Sequence, residues 1–274
     1  MFLFESIPWY SWLAWLGLLG GLILFNEIAR NSKRTSIFLF VILPIFLTIF
    51  VWPETSGPGT GVHTANWFSW LKVYSALAGC IVFMGLRYSE KIRAKKWFYA
   101  IPPALLAINI AEAVIREFQV MDMQGVIDGM FFMGGPWNIL NAVAGILNIL
   151  TIVGWFGIII SKDKKKDMIW PGMMWFWIIA YDLWNFAYVY NCSTDRAFYS
   201  GFALLLSCTI PAFLIKKGAW LQHRAQTLAL FMMMMLAIPE FFVVGKFAVA
   251  SSHNSTAFYT VSIISLVANV AVAI

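Results

Sequence analysis

Nine apolar stretches run the length of this chain, at about residues 9–29, 36–53, 67–87, 97–117, 136–160, 168–190, 197–215, 222–246 and 257–274. Each comes close to the roughly 20 residues that a helix needs to cross a hydrocarbon core. Inside a bilayer no water satisfies the backbone, so spans of this length are expected to be helices. The fold expected is therefore all-α, a polytopic transmembrane helical bundle with residues 1–274 in a single integral membrane domain. Composition agrees: 12% of residues are charged, against about 25% in a soluble domain. The 14 Trp and 24 Phe suit aromatic belts and an aromatic interior. The ninth stretch is the weakest, because no basic flank follows or precedes it. Eight spans with a loose tail stays open as the alternative.

Charge orients the spans. Of 19 Lys and Arg, 15 fall after the first, third, fifth and seventh stretches, as Arg30, Lys33 and Arg34, then Arg87 to Lys96, Lys162 to Lys166, and Lys216, Lys217 and Arg224. These loops all lie on one side of an alternating bundle. The positive-inside rule makes that side the cytoplasm, with the N-terminus outside and the C-terminus inside. The net charge of +6 is thereby a matter of topology, and nucleic acid is excluded as a partner. The loop at 53–66 is rich in Gly and Pro, and 118–135 reads as a short interfacial helix. Gly17 and Gly21 make a GxxxG, read as ordinary helix packing within the chain.

The stretch Trp175–Tyr190 carries the polar residues that need the most explanation. Asp182 and Asn185 share one helical face, with Trp175 two turns back and the stripe Trp177, Tyr181, Trp184 and Tyr188 beside it. An ionisable group at this depth is costly and belongs in a protein interior or a wet cavity. Other spans bring similar groups: Lys72 in the third, Asn109, Glu112 and Arg116 in the fourth, Asn138, Asn141 and Asn148 in the fifth, and Glu240 in the eighth. Counting ~1.5 Å per residue puts Lys72, Glu112, Asn141, Asp182 and Glu240 in the outer half of the bilayer. We expect them to meet in one pocket, with structural pairing of Lys72 and an acid as the competing explanation. Three acids against one lysine leave negative charge over, and aromatic faces beside acids suit an organic cation.

Catalytic signatures are thin. The three histidines, His63, His223 and His253, lie at span edges or in loops, and no HExxH, GxSxG or Gly-rich phosphate loop occurs. Cys80, Cys192 and Cys208 are too scattered for a disulfide framework or a metal set. No catalytic residue, metal site or cofactor is therefore expected, and the chain does not read as an enzyme.

The runs AYDLWNFAYVYNC, FYSGFALLLSCTIPAF and KKGAWLQHRAQTLAL, over about residues 175–230, resemble an uncharacterised family of bacterial polytopic membrane proteins, known only as a domain of unknown function. The resemblance implies a multi-pass protein of a bacterial inner membrane and supplies no activity.

The function expected is secondary transport of a small cationic or zwitterionic solute, coupled to protons. Asp182, Glu112 and Glu240 would bind the cation or proton, and Lys72 would be the internal counter-ion. Asn141, Asn148 and Asn185 would orient the solute against Trp175 and Trp184. The alternative is a receptor or sensor with an outward-facing pocket. Proline breaks at Pro102-Pro103, Pro211 and Pro239 favour a transporter, which needs access from both sides. The expected partners are membrane lipids and a small-molecule ligand, with a homo-oligomer left open.

Overall fold

A computed structural model describes residues 2–127 and 130–274. Among them are nine long helical segments: α1 (Trp9–Asn31), α2 (Lys33–Phe50), α3 (Trp67–Tyr88), α4 (Lys96–Val120), α5 (Pro136–Leu150), α6 (Trp175–Cys192), α7 (Thr194–Leu214), α8 (Trp220–Ala237) and α9 (Ser255–Ala273). The architecture is an all-α bundle, and six of these helices are long and apolar enough to cross a membrane. The three others have clear reasons. Helix α5 is only 15 residues long, while α6 and α8 are buried along most of their length and need no lipid-compatible surface.

The helices form two groups. Helices α4, α5, α6 and α9 pack together, as do α1, α3, α7 and α8, with α2 beside α1 and α3. The groups meet where α6 lies against α7, and where α3 lies against α4. Gly201 allows the first approach, since a Cβ there would sit 2.8 Å from the Phe186 ring. In the first group Gly145 on α5 serves the same end. Its Cβ would fall 2.7 Å from Trp184 Nε1 and 2.5 Å from Val114. Gly17 and Gly21 are different, because a Cβ on either meets nothing within 4 Å. That GxxxG brings no helix of this chain close.

Backbone breaks follow proline and glycine chemistry. Helix α2 contains a π turn, Phe38–Ile42, just before Pro44, whose ring would otherwise crowd the carbonyl one turn back. Helix α5 stops at Leu150, and Gly154 (φ +69°) lies a few residues beyond. The expected span at 136–160 is thus a short helix and a loop, and α6 begins only at Trp175. Helix α8 ends at Ala237, and after Pro239 a four-residue turn, Glu240–Val243, takes over. Strands Gln124–Ile127 (β1) and Met130–Met133 (β2) pair antiparallel where an interfacial helix was expected. Asp128 and Gly129 of that loop lie outside the described residues. A second pair, Ile159–Ile160 (β3) with Met168–Ile169 (β4), follows α5.

The loops rich in cations gather at one end, hereafter the basic end. Arg30 after α1 pairs with Asp167 at 2.9 Å and with Glu27. Arg87 Nη2 donates to the carbonyls of Arg30 (2.8 Å) and Lys165 (2.9 Å). Lys216 after α7 pairs with Asp163 at 2.7 Å. At the opposite end Phe4 bridges Ser251, and His253 lies 3.3 Å from Asp195. The ninth helix is fully part of the bundle: Ser262, Ser265 and Asn269 are buried against α5 and α6.

Candidate functional site

Three cavities lie in series between the two groups of helices. The central one, about 110 Å³, is lined by Lys72 and Phe68 (α3), Asn109 (α4), Asn185 (α6), and Arg224 (α8) among others. A cavity of about 110 Å³ toward the opposite end shares Phe68, Ser69, Ser193 and Arg196 with it and adds Arg116 and Phe132. A cavity of about 50 Å³ toward the basic end shares Asn109, Tyr181, Arg224 and Leu228 and adds Gly79, Phe83 and Pro102. The shared residues make the three cavities neighbours along one route, hereafter the path. Its cations are Arg116, Arg196, Lys72 and Arg224, and among the described residues no Asp or Glu lines any of the three cavities.

Each cation is held by its neighbours. Lys72 Nζ lies 2.6 Å from Glu112 Oε2 and 3.4 Å from Asn109 Oδ1, with the Phe68 ring 5.3 Å away. Both side chains of the pair keep some exposure, 14% and 25%. Arg224 is buried with no carboxylate in hydrogen-bond reach among the described residues. Its guanidinium donates at 3.4 Å to the Tyr181 hydroxyl and at 3.4 Å to Asn185 Oδ1, and Nη1 has no partner. Arg196 donates 2.8 Å to the His63 carbonyl and faces the Met130 sulfur at 3.1 Å, while its Nε has no partner. Burial, with the Arg196 charge second, pushes the His63 imidazole down to about 3. A buried cation left without an anion is costly. Two such guanidiniums on one path are the strongest functional signal in the molecule.

Toward the basic end lies a buried polar network. Asp167 Oδ1 accepts from Arg30 (2.9 Å) and from Gln222 Nε2 (3.0 Å), Gln222 Oε1 accepts from the Met168 amide at 2.8 Å, and Asn26 meets His223 at 2.7 Å. The network ties α1, the loop before α6 and α8 together.

The residues expected to meet in one pocket do not all do so. Lys72 and Asn185 line the central cavity, and Glu112 joins them through its ion pair. Asp182 lies nearer the basic end of α6 than its expected outer layer. There Thr209 donates to its Oδ2 at 2.6 Å, Trp220 Nε1 donates to Thr209, and Oδ1 has no partner. Asn141 and Trp184 bond each other across α5 and α6, Trp184 Nε1 donating 3.1 Å to the Asn141 carbonyl. Asn148 is fully buried one turn beyond Gly145, with neither amide atom partnered. Glu240 is exposed at the start of its short turn, and Trp175 is 67% exposed at the first residue of α6. The last two therefore leave the candidate site, since neither faces the interior.

A second polar centre went unnoticed in the sequence. Glu117, fully buried, accepts 2.6 Å bonds from Asn138 and Asn141 and weaker ones, 3.3 and 3.4 Å, from Asn191. Ser262 and Ser265 of α9 complete it through Asn191 and Asn141. Arg116 and Glu117 are adjacent, and a helix turns ~100° per residue. So one faces the path and the other the seam between α4, α5, α6 and α9. The Asn stripe on α5 was the available signal, and Glu117 is what it faces.

The model of a family of unknown function, DUF5692, matches residues 5–274. The chain belongs to that family. The match covers nearly the whole bundle, so the cavity path and the Glu117 seam both lie within the DUF5692 region. No curated protein and no solved structure matches the chain.

Proposed function

We propose that this membrane protein is a secondary transporter for a small organic anion, one bearing a carboxylate or phosphate beside an apolar or aromatic part. The observation that carries this reading is the path lined by Arg116, Arg196, Lys72 and Arg224 without a lining acid among the described residues. Negative charge left over was the ground for expecting a cationic solute. Glu112 is instead taken up by Lys72, and Glu240 faces outward. The charge left over on the path is positive, which favours an anion. Arg224 would hold the anionic group with its free Nη1, while Asn185 and Tyr181 keep the guanidinium in place. Phe68, Tyr188 and Phe231 give the rest of the solute an apolar wall. Asp182, with one oxygen unpartnered and one turn of α6 from the Asn185 that accepts from Arg224, would couple uptake to a proton.

The test is uptake of a panel of organic anions and cations into proteoliposomes, for wild type, Arg224→Gln, Lys72→Gln and Asp182→Asn, with thermal stability measured in parallel. Anion uptake at least tenfold lower in stable Arg224→Gln, with its pH dependence flattened in Asp182→Asn, is the expected outcome. Uptake of cations but not anions would reverse the reading. The receptor alternative draws support from the polar network at the basic end. Saturable anion binding without uptake would favour it.

A further inference from the structure

A cleft of about 860 Å³ lies on the surface at the basic end, away from the path. Four cations line it: Arg93 and Lys96, ahead of the membrane part of α4, and Lys162 and Lys166, from the loop joining β3 to β4. No acid lines it among the described residues. The other walls are Phe156 and Ile158 to Ile160, with the hydroxyls of Tyr99 and Ser161.

Three facts separate this cleft from a loop that is merely basic. First, the acids of the same loop are committed elsewhere. Asp163 is bound by Lys216 at 2.7 Å, which holds its carboxyl down to about 2, and Asp167 is buried against Arg30 and Gln222. Among the described residues Lys96, Lys162 and Lys166 form no ion pair, and the one carboxylate near Arg93 is Glu90, at 3.6 Å, while its Nη1 donates to the carbonyls of Arg87 (2.8 Å) and Leu86 (3.4 Å). Second, the loop is built rather than loose. Asp163 Oδ1 accepts from the Lys165 and Lys166 amides, and Arg87 holds the carbonyls of Lys165 and Lys166 at 2.9 and 3.1 Å. Third, the rim is amphipathic. Phe156 is 69% exposed and Ile159 53%, and Trp97, next to Lys96, is 59% exposed. Aromatic residues of this kind lie at headgroup depth in a bilayer.

We infer that this cleft binds the phosphate-bearing headgroup of an anionic phospholipid from the leaflet at the basic end, with the acyl chains along Phe156 and Ile159. A soluble phosphate would use the cations and leave the apolar rim idle, and a neutral lipid would use the rim and leave four cations without an anion. Only an anionic lipid satisfies both. The site stands whether or not the central path transports an anion.

The experiment is a thermal-stability titration of the purified protein in neutral detergent with short-chain phosphatidylglycerol, phosphatidylcholine or inorganic phosphate. The cleft variant is Lys96→Gln/Lys162→Gln/Lys166→Gln. Its control, Lys91→Gln/Lys164→Gln/Lys217→Gln, removes the same charge from basic-end positions that do not line the cleft. Native mass spectrometry counts the lipid retained. The expected result is saturable stabilisation by phosphatidylglycerol alone, at least tenfold weaker in the cleft variant, unchanged in the control, and lost at high salt. Equal weakening in both variants, equal stabilisation by phosphatidylcholine, or saturation by inorganic phosphate alone would each overturn it. Should the triple variant fail to fold, Lys162→Gln and Lys166→Gln are titrated singly under the same criteria.

Discussion

At the scale of single residues, Glu117 shows how a carboxyl group is held inside an apolar protein by amides rather than by a cation. Both of its oxygens accept, since three asparagine amides turn their N–H groups toward them. Two of those amides are fixed from the other side, because Asn138 Oδ1 accepts the Gly135 amide at 2.9 Å and Asn141 Oδ1 accepts the Ser265 hydroxyl at 2.6 Å. Neither can flip without losing a bond. Glu117→Gln, nearly the same shape, would therefore set an NH₂ group against N–H donors. We expect it to cost about 1–3 kcal/mol, the range for a buried polar group left unsatisfied, and to lower the melting temperature in detergent. Glu117→Gln with wild-type stability would mean that the asparagines reorient freely.

At the scale of elements, helix positions were legible in the sequence and helix ends were less so. Hydropathy finds apolar stretches, and the loop after α5 is apolar too. Val153, Phe156 and Ile159 are exposed on the bundle surface, where lipid would cover them, so a count of apolar residues cannot tell this loop from a longer helix. Helix α8 shows the reverse. Gln222, His223, Arg224, Gln226 and Thr227, all buried, spread over roughly 200° of its first two turns, too wide a polar arc for a helix surrounded by lipid. The packing of α5 rests on Gly145. Gly145→Ala should destabilise by about 1–3 kcal/mol, as overpacking does, by pushing Trp184 off the Asn141 carbonyl. A melting temperature unchanged in Gly145→Ala would show that the helices can part by a few tenths of an ångström at no cost.

At the scale of the whole molecule, the arrangement of charge was readable and its functional use was not. Fifteen of the 19 cations fall in the groups that follow the first, third, fifth and seventh apolar stretches. The structure brings those groups to one end, except for Arg224, which is buried in α8 on the path, and the expected topology follows from the rest. A reporter fused after Lys166 should read cytoplasmic, and one inserted within residues 53–66 should read external. The same side for both would undo that orientation. The four cations outside those groups are Lys72, Arg116, Arg196 and Lys246, and three of them line the path. Topology gives no reason for their presence. The segment before α1 is fastened to the loop before α9, by the bridge of Phe4 with Ser251, the Glu5 amide on the Ala250 carbonyl and the Ser252 amide on that of Leu3. Tyr190 joins the same clasp by donating to the Leu3 carbonyl at 2.7 Å. Its two halves are separated by almost the entire chain, so during synthesis the first helix enters the bilayer long before its fastening exists. The bundle is thus latched late, at the end opposite the cations, only once the loop carrying Ser251 has emerged.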